Sequence, residues 1–211
     1  MKCGQFLVVE GLEGAGKSTA LKTLQDVLTQ HAIPYVTTRE PGGTEVGEAI
    51  RHIVKTYKQP LDPKSELLLF YAARVQLLQQ VIHPALAEGR WVLADRFELS
   101  SFAYQGGGRG IDQAFIHQLS KACVGSTQPD CLFYLDISPE VGLQRAYHRG
   151  KLDRIEQESE AFFHAVHRAY REAISTLPRA VVIDAKQPLD AVQHDLRGAL
   201  EQYLAEHDVH A

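Results

Sequence analysis

Apolar positions along the 211 residues fall into two alternating kinds of run. Short, nearly unbroken stretches rich in β-branched and aromatic side chains recur at QFLVVE (5–10), IPYVTT (33–38), RWVLAD (90–95), DCLFYLDI (130–137) and AVVID (180–184). Runs of that length and density read as largely buried strands. Between them, apolar residues return at helical spacing over 17–31, 44–57, 63–88, 111–123, 139–149, 156–176 and 189–206. Strand-helix alternation along a whole chain predicts an α/β fold, a parallel sheet with helices on both faces. Ligands of such sheets gather at the carboxyl ends of the strands. No repeat, low-complexity tract or charge block divides the sequence, so 1–211 is expected to be a single domain.

Two segments stand out within this pattern. SELLLFYAARVQLL (65–78) is apolar around most of its circumference, so burial on more than one side is expected, inside the fold or against another subunit. The glycine run at 106–108 in SSFAYQGGGRG is read as a loop.

Composition narrows the partners. With 22 basic against 26 acidic side chains the formal charge is −4, so neither nucleic acid nor anionic lipid is attracted globally. Any anion must be caught locally. Cys3, Cys123 and Cys131 are scattered without a C-x-x-C spacing, which predicts reduced thiols rather than a disulfide framework or a zinc site. The apolar run FLVV in MKCGQFLVVEG spans four residues, too short for a signal-peptide core or a membrane span; a cytoplasmic protein is expected.

GLEGAGKST (11–19) follows the first strand and opens the first helix, and it fits the phosphate-cradling pattern G-x-x-x-x-G-K-[ST]. Gly11, Gly14 and Gly16 let backbone N–H groups converge on an anion, and the helix start adds its positive end. Lys17 can reach the β and γ phosphates of a nucleotide, and Ser18 can ligate Mg²⁺. Leu12, Glu13, Ala15 and Thr19 complete the candidate ATP loop. Glu13 is an acid in a loop made for anions. A carboxylate inside the cradle would repel a triphosphate, so it is expected to point outward, either solvated or toward a sugar hydroxyl of a phosphate acceptor.

Other pieces fall near the same edge. Asp95 ends the third strand and, with Ser18, supplies the hard oxygen ligands that Mg²⁺ takes, unless it is only a turn former. Arg96 suits bidentate contact with an acceptor phosphate. Arg39 and Arg51 flank the turn in REPGGTEVGEAIR (39–51), where an exposed helix arginine is the competing reading for Arg51. Phe70 and Arg74 share a helix face and can hold a nucleobase by stacking and edge hydrogen bonds, or Phe70 is plain core. Ser100, Ser101, Tyr104 and Gln105 offer hydroxyls and an amide for base and sugar. Arg145 and Arg149, then Gly150 and Arg154, form a glycine-hinged basic segment suited to a lid over about 142–156 that neutralises a migrating phosphoryl group. Interleaved Asp153, Glu156 and Glu158 allow an ordinary salt-bridged surface instead.

Taken together, EGLEGAGKST (10–19), TREPGGT (38–44), FYAAR (70–74), DRFELSSFAYQGGGRG (95–110), RGKLDRIEQES (149–159) and DAKQP (184–188) resemble the thymidylate kinases of bacterial type. The resemblance implies a P-loop kinase fold with five parallel strands and a lid, and transfer of the ATP γ-phosphoryl to dTMP with Mg²⁺. It implies Glu13 on the acceptor 3′-hydroxyl, Phe70 on thymine, Arg74 and Gln105 near the base, and Arg96 on the acceptor phosphate. Tyr104 would sit close to the sugar 2′ position, and Asp95 in the metal and acceptor network. One branch of the family carries an arginine in the phosphate loop; this chain has none, so Arg149, with Arg154 as second candidate, would supply that charge from the lid. Arg145 and the loop at 184–188 would flank adenine. The DR pair is often followed by His or Tyr, and here it is followed by Phe97. Family members are commonly homodimers, which the apolar 65–78 helix would suit. The rival readings are a kinase for another nucleoside monophosphate and a slowly hydrolysing NTP switch.

Overall fold

The computed structural model describes residues 4–150 and 152–207. All five expected strands form: β1 (Phe6–Gly11), β2 (Tyr35–Arg39), β3 (Trp91–Asp95), β4 (Cys131–Asp136) and β5 (Ala180–Asp184). They make one parallel sheet in the order β2-β3-β1-β4-β5. The chain leaves β1 for one side of the sheet and crosses back to build the other. The loops after β1, β3 and β4 therefore border a common crevice at the carboxyl edge.

Strand alternation divides the core. Leu7, Val9 and Leu93 face α1 (Lys17–Gln30), α8 (Glu160–Ile174) and α9 (Leu189–Glu206). Phe6, Val8, Val92 and Ala94 face α3 (Pro63–Leu77) and α6 (Gln113–Cys123). Side chains of one strand thus cement two opposite layers, as a central parallel strand requires. The remaining helices are α2 (Glu45–Thr56), α4 (His83–Ala87), α5 (Glu98–Ser101) and α7 (Pro139–Arg149).

Local chemistry sets the helix starts. Thr44 accepts from the Gly47 N–H, Asp62 from those of Lys64 and Ser65 with Pro63 in the first turn, and Ser159 from that of Phe162. The long 63–88 helix is interrupted by a π-helical turn at Leu78–Ile82 before α4. Its 65–78 part is buried at Leu67, Tyr71, Ala73, Arg74 and Leu77, while Leu68 stays exposed.

The glycine run is not a loop. Phe102–Gly108 is a π-helical segment continuing α5. A Cβ on Gly107 would lie 2.5 Å from the Ala169 Cβ, and one on Gly108 would lie 2.4 Å from the Phe162 ring. These glycines allow the backbone to lie directly against α8, a tertiary demand that propensity alone does not reveal. Cys123 and Cys131 are free thiols, and Cys3 lies outside the described residues. Among the described residues no helix is long and apolar enough to cross a membrane.

Candidate active site

The loop after β1 curls over the start of α1, with Gly14 at φ 72° and Gly16 at φ 94°, the left-handed region that favours glycine. A Cβ on Gly14 would also meet the Gly142 carbonyl oxygen at 2.0 Å, so the loop is clamped against α7. Lys17 Nζ folds back onto the loop, donating to the carbonyls of Leu12 at 2.7 Å and Gly11 at 3.0 Å. Burial, and then the nearby Arg96 cation, lower its pKa from 10.5 to about 8, with Glu13, Asp95 and Glu10 pulling the other way.

A cavity of about 520 Å³ opens beside this loop. At one end it is walled by Gly14, Gly16, Lys17, Ser18 and Thr19; at the other by Phe70, Ser101 and Gln105. Glu13, Asp95, Arg96, Ser100 and Tyr104 lie along it, with Arg51, Arg145 and Arg149 around the rim. Sequence positions up to 143 residues apart, Glu13 and Glu156, thereby share one chamber.

Glu13 turns away from the loop. Its carboxylate accepts from Arg96 Nη2 at 2.7 Å and from the Tyr104 hydroxyl at 2.5 Å. Arg96 has φ 69° and also donates to Ser100 Oγ, Tyr170 OH and Tyr104 OH at 3.0–3.1 Å. The guanidinium is thus held by several acceptors at once. Asp95 presents a buried Oδ1 with no hydrogen-bond partner. A buried orphan carboxylate oxygen beside an exposed Ser18 matches the hard-oxygen donor set of a partly hydrated Mg²⁺.

Three carboxylates to which the sequence assigns no role brace these groups, Glu10 and Glu66 from behind the wall and Glu40 within it. Glu10 is fully buried and accepts from the Phe97 and Ser100 N–H groups at 2.9 and 3.2 Å, Ser100 Oγ at 2.7 Å and Tyr170 OH at 2.8 Å. Glu40 holds Arg74 bidentately, at 2.6 Å from Nη2 and 2.8 Å from Nε, with both side chains buried. Burial pushes the Glu40 carboxyl up to about 7 against the pull of Arg74. Glu66 receives Gln105 Nε2 at 2.9 Å, Arg109 at 3.1 and 3.2 Å, and Arg154. A signal existed for two of them: Glu10 closes the apolar run FLVV and Glu66 opens the run LLLF, so each charge abuts a buried stretch.

Several expected residues sit elsewhere. Arg39 is exposed and paired with Glu48 at 2.9 and 3.0 Å, outside the cavity wall. Arg74 lies behind the wall; its Nη2 also reaches Ser101 Oγ at 3.0 Å, and its buried Nη1 has no partner. Arg154 is likewise outside the wall, bonded to the Val54 carbonyl at 2.8 Å and to Glu66. Arg149 is on the rim and pairs with Glu156. Arg51 donates to the Pro41 carbonyl at 2.9 Å, and Arg145 to that of Ala185 at 2.9 Å, which ties α7 to the loop after β5. Phe97 is buried with its ring edge-on to Phe6 at 4.9 Å and with the Arg74 guanidinium 5.6 Å from its ring centroid.

A parallel sheet of this order, with a phosphate loop on its central strand and a cavity reaching from that loop to an aromatic and amide end, defines a P-loop kinase. The thymidylate kinase pattern matches residues 9–196. Over 208 residues the chain is 52% identical to a thymidylate kinase of Legionella pneumophila strain Corby, covering 98% of both chains. It is 51% identical to that of strain Paris over the same share. The chain belongs to the thymidylate kinase family.

Proposed function

We propose that the chain transfers the γ-phosphoryl group of ATP to dTMP, giving dTDP, with the two nucleotides end to end in the one cavity. The observation that carries this reading is the continuity of that cavity from Lys17 and Ser18 to Phe70 and Gln105, with Arg96 and Arg149 between. ATP phosphates lie on the loop 11–19, where Lys17 leaves its carbonyl partners for the β and γ phosphates. Ser18 and Asp95 would hold Mg²⁺, which would supply positive charge to neutralise the phosphates.

On the acceptor side, Phe70 stacks on the base and Gln105 reads its edge, with Arg74 near the base behind Ser101. Arg96 grips the acceptor phosphate, with Arg51 beside it. Glu13 and Tyr104 meet the deoxyribose, and Ser100 and Ser101 complete that wall. The acceptor phosphate is already an anion, so the chain's task is alignment and charge neutralisation rather than proton abstraction. Arg149 is the principal lid cation, because it faces the cavity whereas Arg154 is occupied as a latch.

The segment around 142–156 acts as the lid of a single kinase domain. Gly150 ends α7 at φ 138°, and the chain beyond it rests on α2 through Lys55–Asp153 at 2.7 Å and Arg154. Free thiols at Cys123 and Cys131 suit a reducing cytoplasm. The exposed Val46 and Ile53 on α2, Tyr57 just beyond its end, and Leu68 on neighbouring α3 suit a face covered by a second copy.

ADP formation from ATP and Mg²⁺, measured with dTMP, dUMP, dCMP and dGMP in turn, tests the reading. Fastest turnover with dTMP is expected; ADP release indifferent to any monophosphate would contradict it.

A further inference from the structure

A buried carboxylate behind the cavity wall is bonded to a residue of that wall. Glu66 stands in the first turn of α3 with its side chain 1% exposed, and it is not in the cavity wall. Burial raises its pKa, but hydrogen bonds from Arg109, Gln105 and Arg154 outweigh that, and the carboxyl lies below its ordinary value. Glu66 is therefore ionised at neutral pH and can only accept hydrogen bonds. The atom of the Gln105 amide that faces it at 2.9 Å must then be the nitrogen. Gln105 is buried yet lines the cavity, so the oxygen is the atom left for a ligand.

We infer that Glu66 is a specificity-determining positioning residue: by fixing the Gln105 amide nitrogen inward it makes the base end of the cavity an acceptor, selecting bases that present a ring N–H there. Thymine and uracil carry a proton on N3, whereas cytosine presents a bare N3 lone pair that would oppose the Gln105 oxygen. This inference rests on the reading that Gln105 faces the base. It adds that selectivity is set by a residue behind the wall.

Glu66 also anchors Arg154 of the lid, so the test must separate the two contacts. A glutamine at 66 can offer its NH₂ to Gln105, which is then free to turn its own nitrogen toward the base. In Glu66→Gln the ratio of kcat/KM for dTMP over dCMP is expected to fall about tenfold or more, mainly through the two KM values. Arg154→Met removes only the lid contact and is expected to lower kcat while leaving the ratio within about twofold. A folded Glu66→Gln protein with the wild-type ratio overturns the inference. If Gln105→Ala also leaves the ratio unchanged, the reading of Gln105 at the base falls with it; if Gln105→Ala changes the ratio, only the role of Glu66 falls. Should Glu66→Gln fail to fold, NMR of the wild-type Gln105 side-chain NH₂ decides. Its proton toward Glu66 is expected to be protected from exchange without ligand, and rapid exchange overturns the inference.

Discussion

At the Lys17 end of the cavity the wall is one contiguous turn of backbone, whereas the Phe70 and Gln105 end is lined by side chains from α3, the turn after β2 and the α5–π-helical segment that carries Ser100, Ser101, Tyr104 and Gln105. The phosphate loop needs small residues and a helix start, both local properties. The base end needs side chains held in fixed directions, and buried carboxylates hold them: Glu40 for Arg74, Glu66 for Gln105, Glu10 for the turn bearing Arg96. On the proposed reading, an anion of constant shape is met by backbone, while a base and sugar are met by a supported lattice of side chains. The cost of the second solution is buried charge, tolerable only while each group keeps its partner.

The comparison can be broken most severely at its second member. Glu40→Ala leaves the Arg74 guanidinium buried and unpaired and is expected to destabilise the fold by about 3–5 kcal/mol, read from denaturant midpoints. An unchanged midpoint would mean that water reaches Arg74 and that the base end is not held as described. At the first member, Lys17→Ala is expected to lower kcat about 10²–10³-fold while dTMP binding changes little, because the loop keeps its shape without the ammonium. Arg149→Ala should act in the same direction; intact turnover in either would remove the charge-neutralising role.

A smaller effect is expected at Gly107→Ala. The new methyl meets the Ala169 Cβ, and overpacking costs about 1–3 kcal/mol in thermal or denaturant stability. The smallest is a pH effect confined to the ATP end. Lys17 in the free enzyme loses its proton as pH rises through about 8, so kcat/KM for ATP should decline above that pH. The kcat limb should move to higher pH, because bound phosphates favour the charged lysine. A flat kcat/KM profile to pH 10 would show that Lys17 is not desolvated before ATP arrives.

Much of the molecule was legible in its sequence. All five strands and the ATP loop follow from patterns within a few residues of one another: apolar runs, glycines in a turn, a helix start. The outward turn of Glu13 followed from charge repulsion alone, but not its partners Arg96 and Tyr104, which are 83 and 91 positions away. The GGG run misled because glycine serves both turns and close helix contacts, and only α8 lying against it decides between them. Arg39 and Arg154 were attractive cations by position, yet Glu48 and Glu66 turn them from the cavity.

By itself, then, the sequence determined the sheet, its helical layers and the anion cradle, since each depends on short-range periodicity and backbone freedom. Only the tertiary structure decided which arginines face the cavity, which are tied behind it, and which atom of Gln105 looks inward. Those outcomes rest on ion pairs and hydrogen bonds between residues distant along the chain, whose geometry exists only once the sheet has brought them together.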